Sequence, residues 1–83
     1  DSIPSVDLPH SLLQQRPLLV EVFDDFQVTS SRSEARRLIL QGGIYLNNQR
    51  ITDVNARLTP ESVQDGIINV RIGKKKHFRF VVR

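Results

Sequence analysis

The sequence predicts an α+β domain: two main helices and a short helical turn packed on a small, largely antiparallel sheet. Three observations carry this expectation. Apolar residues recur at helical spacing in "PLLVEVFDDF" and "SSRSEARRLILQGG", they alternate with a period of two in "VRI" and "FRFVV", and turn-forming residues separate these segments. At 83 residues the chain can bury one modest core, and it is too short for a deep catalytic cleft with a separate cofactor domain.

The opening segment, residues 1–15, contains Pro4 and Pro9 and has little sustained periodicity. It is expected to be a linker or tail, with Leu12 and Leu13 able to pack locally, and the domain proper is expected over residues 16–83. In the next segment Pro17 suits a first helical turn, and Leu18, Leu19, Val22, Phe23 and Phe26 form an apolar stripe. Asp24 and Asp25 fall near the end of this helix, where its dipole does not favour acids. Neighbours on a helix point about 100° apart, so the two are expected to be a solvated face or partners for nearby arginines rather than a catalytic pair.

A second helix is expected to begin at about Arg32. Ser31 followed by Glu34 fits a capping box, in which the serine oxygen accepts a free amide of the first turn and the glutamate reaches back. Ala35, Leu38 and Ile39 form the buried stripe, and Gly42 is the residue type suited to a left-handed C-terminal cap. Arg32 and Arg36 fall on one flank of the stripe and Arg37 on the far side. After the glycines, "IYLNNQRI" predicts a hairpin turning at Asn47-Asn48, because asparagine tolerates the positive φ of a tight turn. Ile44 and Leu46 then share one face and Tyr45 takes the other. Thr59 and Pro60 suit the start of a brief helical turn. The terminal hairpin breaks at Gly73, with Val70, Ile72, Phe78, Phe80 and Val82 inward and Arg71, Arg79 and Arg83 of opposite parity.

Charge is distributed unevenly. Asp1 to Ser31 carries a balance of −4, Arg32 to Arg83 carries +7, and Gly66 to Arg83 holds six basic residues and no acid. A one-signed surface attracts a polyelectrolyte of opposite sign, although basic residues also keep a small domain soluble, and composition leaves both readings open. With no cysteine, disulfide and thiolate–zinc frameworks are excluded, which fits a reducing compartment. No apolar run approaches the roughly 20 residues of a membrane span, and the acidic, proline-bearing start does not resemble a secretory signal. The domain is expected to be soluble, with no membrane partner.

Catalytic chemistry has little to stand on. His10 and His77 are far apart and lack cysteine partners, so no metal site is expected, and no nucleophile motif surrounds either. "GKKK" lacks the spaced glycines of a phosphate loop. What remains is cations on ordered elements: arginines on a capped helix, suited to bidentate phosphate contact, and lysines at a hairpin tip. Lys74 to Lys76 also fit a solvated turn that discourages edge pairing. Phe78 and Phe80 are expected to be core residues rather than base-stacking platforms, which leaves Tyr45 as the aromatic able to offer a stacking surface.

The run "SSRSEARRLILQGGIYLNNQRITD" resembles the RNA-binding module named for ribosomal small-subunit protein four, with its Ser/Arg-rich helix, glycine turn and asparagine hairpin. The further run "LTPESVQDGIINVRIGKKKHFRFVV" is similar to the C-terminal domain of bacterial-type tyrosyl-tRNA synthetases. The resemblance covers roughly Arg16 to Arg83. It implies an S-four-like fold and a module without ligase activity of its own. Such a module contacts the anticodon stem and long variable arm of tRNA, with tRNA-Tyr as the expected partner. Carried over by position, the RNA-facing helix falls on Arg32, Arg36 and Arg37, and the hairpin on Asn47 and Arg50. The basic terminal turn falls on Lys74, Lys75 and Lys76, with Arg79 on the strand that follows. The HIGH-like and KMSKS-like catalytic signatures are not in this chain. The resemblance therefore places ATP and magnesium in a catalytic domain elsewhere, no cofactor in this segment, dimerisation in that catalytic domain, and the segment itself as a monomer. The compartment it implies is a bacterial cytoplasm or an organelle interior. Two other readings stay open: the same module on an rRNA-modifying or ribosome-associated protein, and a domain that docks on acidic protein.

Overall fold

A computed structural model describes residues 3–83. The helix beginning at Arg32 follows from its cap: the Ser31 Oγ accepts from the Glu34 amide at 3.1 Å. The returning glutamate reaches one residue further than expected, accepting from the Ser30 amide at 2.7 Å. At the other end Gly42 takes a φ of +73°, the left-handed conformation that glycine adopts without penalty. This helix, α3 (Arg32–Leu40), buries Ala35 and Ile39. It packs beside α2 (Leu19–Asp25), which buries Leu19, Val20, Val22 and Phe23.

The start of α2 differs from the expectation. Pro17 lies outside the helix, before the extended cap residue Leu18. Its carbonyl accepts from the Leu58 amide at 2.9 Å, and Leu19 donates to the Ala56 carbonyl at 2.8 Å. The first free amide of the helix thus finds a partner in the later loop, and Leu18 bridges to Arg57.

Among the described residues the strands form one mixed sheet. In order across it these are β1 (Ser5–Leu8), β5 (Lys76–Val82), β4 (Ile67–Ile72), β2 (Ile44–Leu46) and β3 (Gln49–Arg50). The β2–β3 turn has φ of +49° and +70° at Asn47 and Asn48, as the asparagine pair predicts. Alternation sorts the faces: Ile44, Leu46, Ile68, Val70 and Phe80 are buried against the helices. Phe80 is fully buried, touching Phe23, Phe26 and Phe78, and Phe78 packs on the core, so both aromatics are packing residues as expected. A 3₁₀ turn at Pro60–Ser62 follows Thr59, whose amide donates to Ser62 Oγ at 3.4 Å.

The main correction concerns the segment expected as a linker or tail. Residues 1 and 2 lie outside the described residues, but from Ser5 the chain belongs to the fold. Strand β1 pairs in parallel with β5, Ser5 opposite Arg79 through Leu8 opposite Val82. It is followed by α1 (His10–Gln14), and Leu8 and Leu13 are fully buried. Both prolines flank the strand rather than interrupt it. Pro4 accepts from the Arg79 amide at 2.9 Å, which needs no donor from the proline.

Candidate functional site

The folding of α3 decides where its arginines sit. Arg32 and Arg36 share a flank, and that flank faces α2. There the Arg32 guanidinium lies 3.5 Å from Glu21 and 3.4 Å from Asp24. Asp24 thus serves as an arginine partner, one of the two roles expected of it, and Arg32 is tied into the α2–α3 contact. Arg36 and Arg37 are exposed and, among the described residues, have no carboxylate within salt-bridge distance.

The lysine turn approaches the other flank. The Gly73 amide donates to the Gly43 carbonyl at 2.7 Å, so the turn that ends α3 and the turn between β4 and β5 are tied together. Gly73 has a φ of +67°, which lets the chain reverse there. Lys74, Lys75 and Lys76 are all exposed. Glu34 registers this proximity. Its carboxyl is held below the ordinary carboxylate range, chiefly by the Ser30 amide, with Arg37 and Lys76 adding attraction. Arg37, on the far side of the stripe, therefore shares a neighbour with the lysine turn, whereas Arg32 faces the acids of α2.

Asn47 and Arg50 occupy different settings. Asn47 is engaged internally: its Nδ2 donates to the Ser62 carbonyl at 2.7 Å and its Oδ1 accepts from the Asn69 amide at 3.1 Å. It braces the hairpin against the 3₁₀ turn and β4. Arg50 lies on the outer sheet face, where its Nη2 and Nε donate to the Tyr45 hydroxyl at 2.7 and 3.2 Å. That bond, before the charges of Arg50 and Arg71, lowers the Tyr45 hydroxyl below its ordinary pKa. Arg79 is half-buried on the same face, and its buried Nε has no acceptor among the described residues.

The structure thus divides the expected residues into two groups. Arg37 and Lys74 to Lys76 lie on the flank of α3 that meets the joined glycine turns, with Arg36 exposed on the opposite flank, while Arg50 and Arg79 belong to the outer face of the sheet. Arg71, not among the expected site residues, joins the second group, its Cζ 4.0 Å from the Tyr45 ring centroid. Its parity was readable in the sequence, but its partner depends on the β2–β4 register. Among the described residues no group of three or more His, Cys, Asp or Glu is placed to hold a metal ion. No helix there is long and apolar enough to cross a membrane.

An α+β domain that presents cations without carboxylate partners on ordered turns and strands offers a surface suited to a polyanion. The chain belongs to the family described as the tyrosine–tRNA ligase SYY-like C-terminal domain, which it matches over residues 1–80. It is 42% identical over 80 residues to a tyrosine–tRNA ligase of Borrelia hermsii, covering 96% of this chain and 20% of the relative. It is 35% identical over 83 residues to one of Caldanaerobacter subterraneus, covering 100% of this chain and 20% of the relative. It is 48% identical over 65 residues to one of Clostridium botulinum, covering 78% of this chain and 16% of the relative. The chain spans about a fifth of the length of the curated relatives it matches.

Proposed function

We propose that this domain is the non-catalytic, tRNA-binding part of a bacterial tyrosine–tRNA ligase, and that it grips the anticodon stem and long variable arm of tRNA-Tyr. The observation that carries the reading is the approach of Arg37 and the turn from Lys74 to Lys76 on one flank of α3, joined at the Gly43–Gly73 contact and sharing Glu34 as a neighbour, with Arg36 exposed on the opposite flank. RNA duplexes are recognised chiefly through shape, phosphates and 2′-hydroxyls, and a basic helix flank beside a basic turn suits that task. Arg32 contributes mainly by fixing α3 against α2, and Asn47 by bracing the hairpin. The domain acts as a monomer in the cytoplasm, while tyrosine activation with ATP and magnesium, and dimerisation, belong to the catalytic part of the full-length ligase.

The test is a titration of a tRNA-Tyr transcript with the domain at several salt concentrations. If about five phosphates are neutralised, log affinity falls against log salt with a slope of about −3.5 to −4.5. An affinity independent of salt would refute the reading. Tighter binding to an rRNA hairpin than to the tRNA would transfer the domain to ribosomal RNA.

A further inference from the structure

The outer face of the sheet carries cations that the site around α3 does not use. Strand register places Arg50, Tyr45, Arg71 and His77 side by side on β3, β2, β4 and β5. The next row on the same face holds Asn69, Arg79 and Ser5. With strands 4.7–4.9 Å apart, the first row spans about 14 Å.

Tyr45 organises this row. Its ring supports the Arg71 guanidinium at 4.0 Å, and its hydroxyl accepts two bonds from Arg50. A guanidinium has five N–H donors in a planar fork, so Arg50 keeps donors beyond those given to the phenol. Stacking on an aromatic ring fixes the plane of Arg71 without occupying its N–H groups. Among the described residues, Arg50, Arg71 and Arg79 have no carboxylate within salt-bridge distance. The nearest acid of these strands, Asp7 on β1, is paired with Arg83 at 3.0 Å. The buried Arg79 Nε has no acceptor among the described residues.

The form of the face selects the occupant. The two described clefts are lined by other residues and not by Tyr45, Arg71 or Arg79. The large apolar side chains left exposed, Ile3 and Leu40, lie outside both rows, and the rows themselves hold three arginines and no carboxylate. An open, acid-poor row of oriented guanidiniums matches an extended polyanion. Arg50 also lies against the end of α3, 3.6 Å from where a Cβ on Gly42 would sit, so the two cation groups adjoin.

We propose that the outer sheet face is a second RNA-contacting surface, on which Arg50, Arg71 and Arg79 hold the phosphodiester backbone of the bound RNA and Tyr45 is the positioning residue for Arg50 and Arg71. This rests on the RNA-binding reading above; Arg50 and Arg79 are among the residues the family resemblance already implies, and the surface adds Arg71 and Tyr45 to them.

The experiment compares affinity and salt slope for a tRNA-Tyr transcript among the unsubstituted chain, Arg71→Ala, Arg71→Lys, Tyr45→Phe and the double substitution Arg36→Ala/Arg37→Ala. Arg71→Ala is expected to weaken binding about tenfold and to flatten the slope by about 0.7 to 0.9, the loss of one phosphate. Arg71→Lys restores the slope but only part of the affinity, because it keeps the charge and loses the planar fork. Tyr45→Phe weakens binding with the slope unchanged. In the unsubstituted chain, the Arg50 and Arg71 Nε–Hε resonances should shift as RNA is added, a readout independent of whether any variant folds. If Arg71→Ala binds as the unsubstituted chain does while the α3 double substitution weakens binding, the second surface is refuted and the first stands. If neither weakens binding, the RNA-binding reading fails. Resonances that shift with the catalytic part of the ligase and not with RNA would also overturn the proposal, by making this face a protein-docking surface.

Discussion

Replacing Arg32 with alanine should affect stability more than RNA binding, and the size of the effect can be worked from its surroundings. Its guanidinium reaches Glu21 at 3.5 Å and Asp24 at 3.4 Å, with the arginine side chain 46% exposed and the acids 40% and 36%. Exposed pairs of this kind contribute about 0.2–1 kcal/mol. Against this, a cation in the first turn of a helix opposes the dipole by about 0.3–0.5 kcal/mol. The net loss on Arg32→Ala is then about 0.5 kcal/mol, which for a domain of this size lowers the melting midpoint by about 2–4 °C. Melts should be run at low salt and at 1 M, where the screening length falls to about 3 Å, so the difference between the two proteins should shrink. A double-mutant cycle with Asp24→Asn should return a coupling of about 0.3–0.5 kcal/mol. For tRNA-Tyr binding, Arg32→Ala should flatten the salt slope less than Arg36→Ala does. An unchanged melting midpoint together with a slope as flat as that of Arg36→Ala would show that Arg32 is a phosphate contact, and the division of labour on α3 would be wrong.

Leu8→Ala should cost about 2–5 kcal/mol, because Leu8 is fully buried in β1. Thermal melting would show a midpoint lowered by at least about 8 °C, whereas an unchanged midpoint would return residues 5–8 to the status of a tail. Ser31→Ala removes the acceptor of the Glu34 amide and should cost about 1 kcal/mol in denaturant unfolding; no loss would mean that water replaces the cap freely. Glu34 has a carboxyl pKa lowered from 4.5, chiefly by the Ser30 amide, so its contribution is present above 4.5 and is lost as pH falls through the lowered value. Stability of the unsubstituted chain should therefore decline more steeply below pH 4.5 than that of Glu34→Gln; parallel curves would contradict the assignment.

Elements whose causes are local were legible in the sequence. Ser31, Glu34 and Gly42 define α3 within a dozen residues, and Asn47-Asn48 defines its turn through positive φ alone. Elements held from a distance were not. Strand β1 has four residues, and its partner β5 lies at the other end of the chain. Nothing within the first fifteen residues distinguishes such a strand from a tail. The cap of α1, Pro9, makes no side-chain bond, so that helix also gives no local signal. Pro17 was misplaced because the carbonyl that satisfies Leu19 comes from Ala56. At the site, helical angles correctly put Arg32 and Arg36 on one flank. They could not show that the flank faces Glu21 and Asp24, since that depends on how two helices pack. Tyr45 was recognisable by parity as an outward aromatic, but its contact with Arg71 required the register of β2 on β4.

The central claim is that RNA is held by α3 and the lysine turn. Mapping backbone amide shifts while titrating the domain with a tRNA-Tyr transcript tests it most directly. The account predicts shifts concentrated on Arg36 and Arg37 and on the turn from Gly73 to Lys76, with the face formed by α1 and the 3₁₀ turn at Pro60–Ser62 unmoved. Shifts confined to α1 and Pro60–Ser62, with the arginine helix and the lysine turn silent, would contradict it.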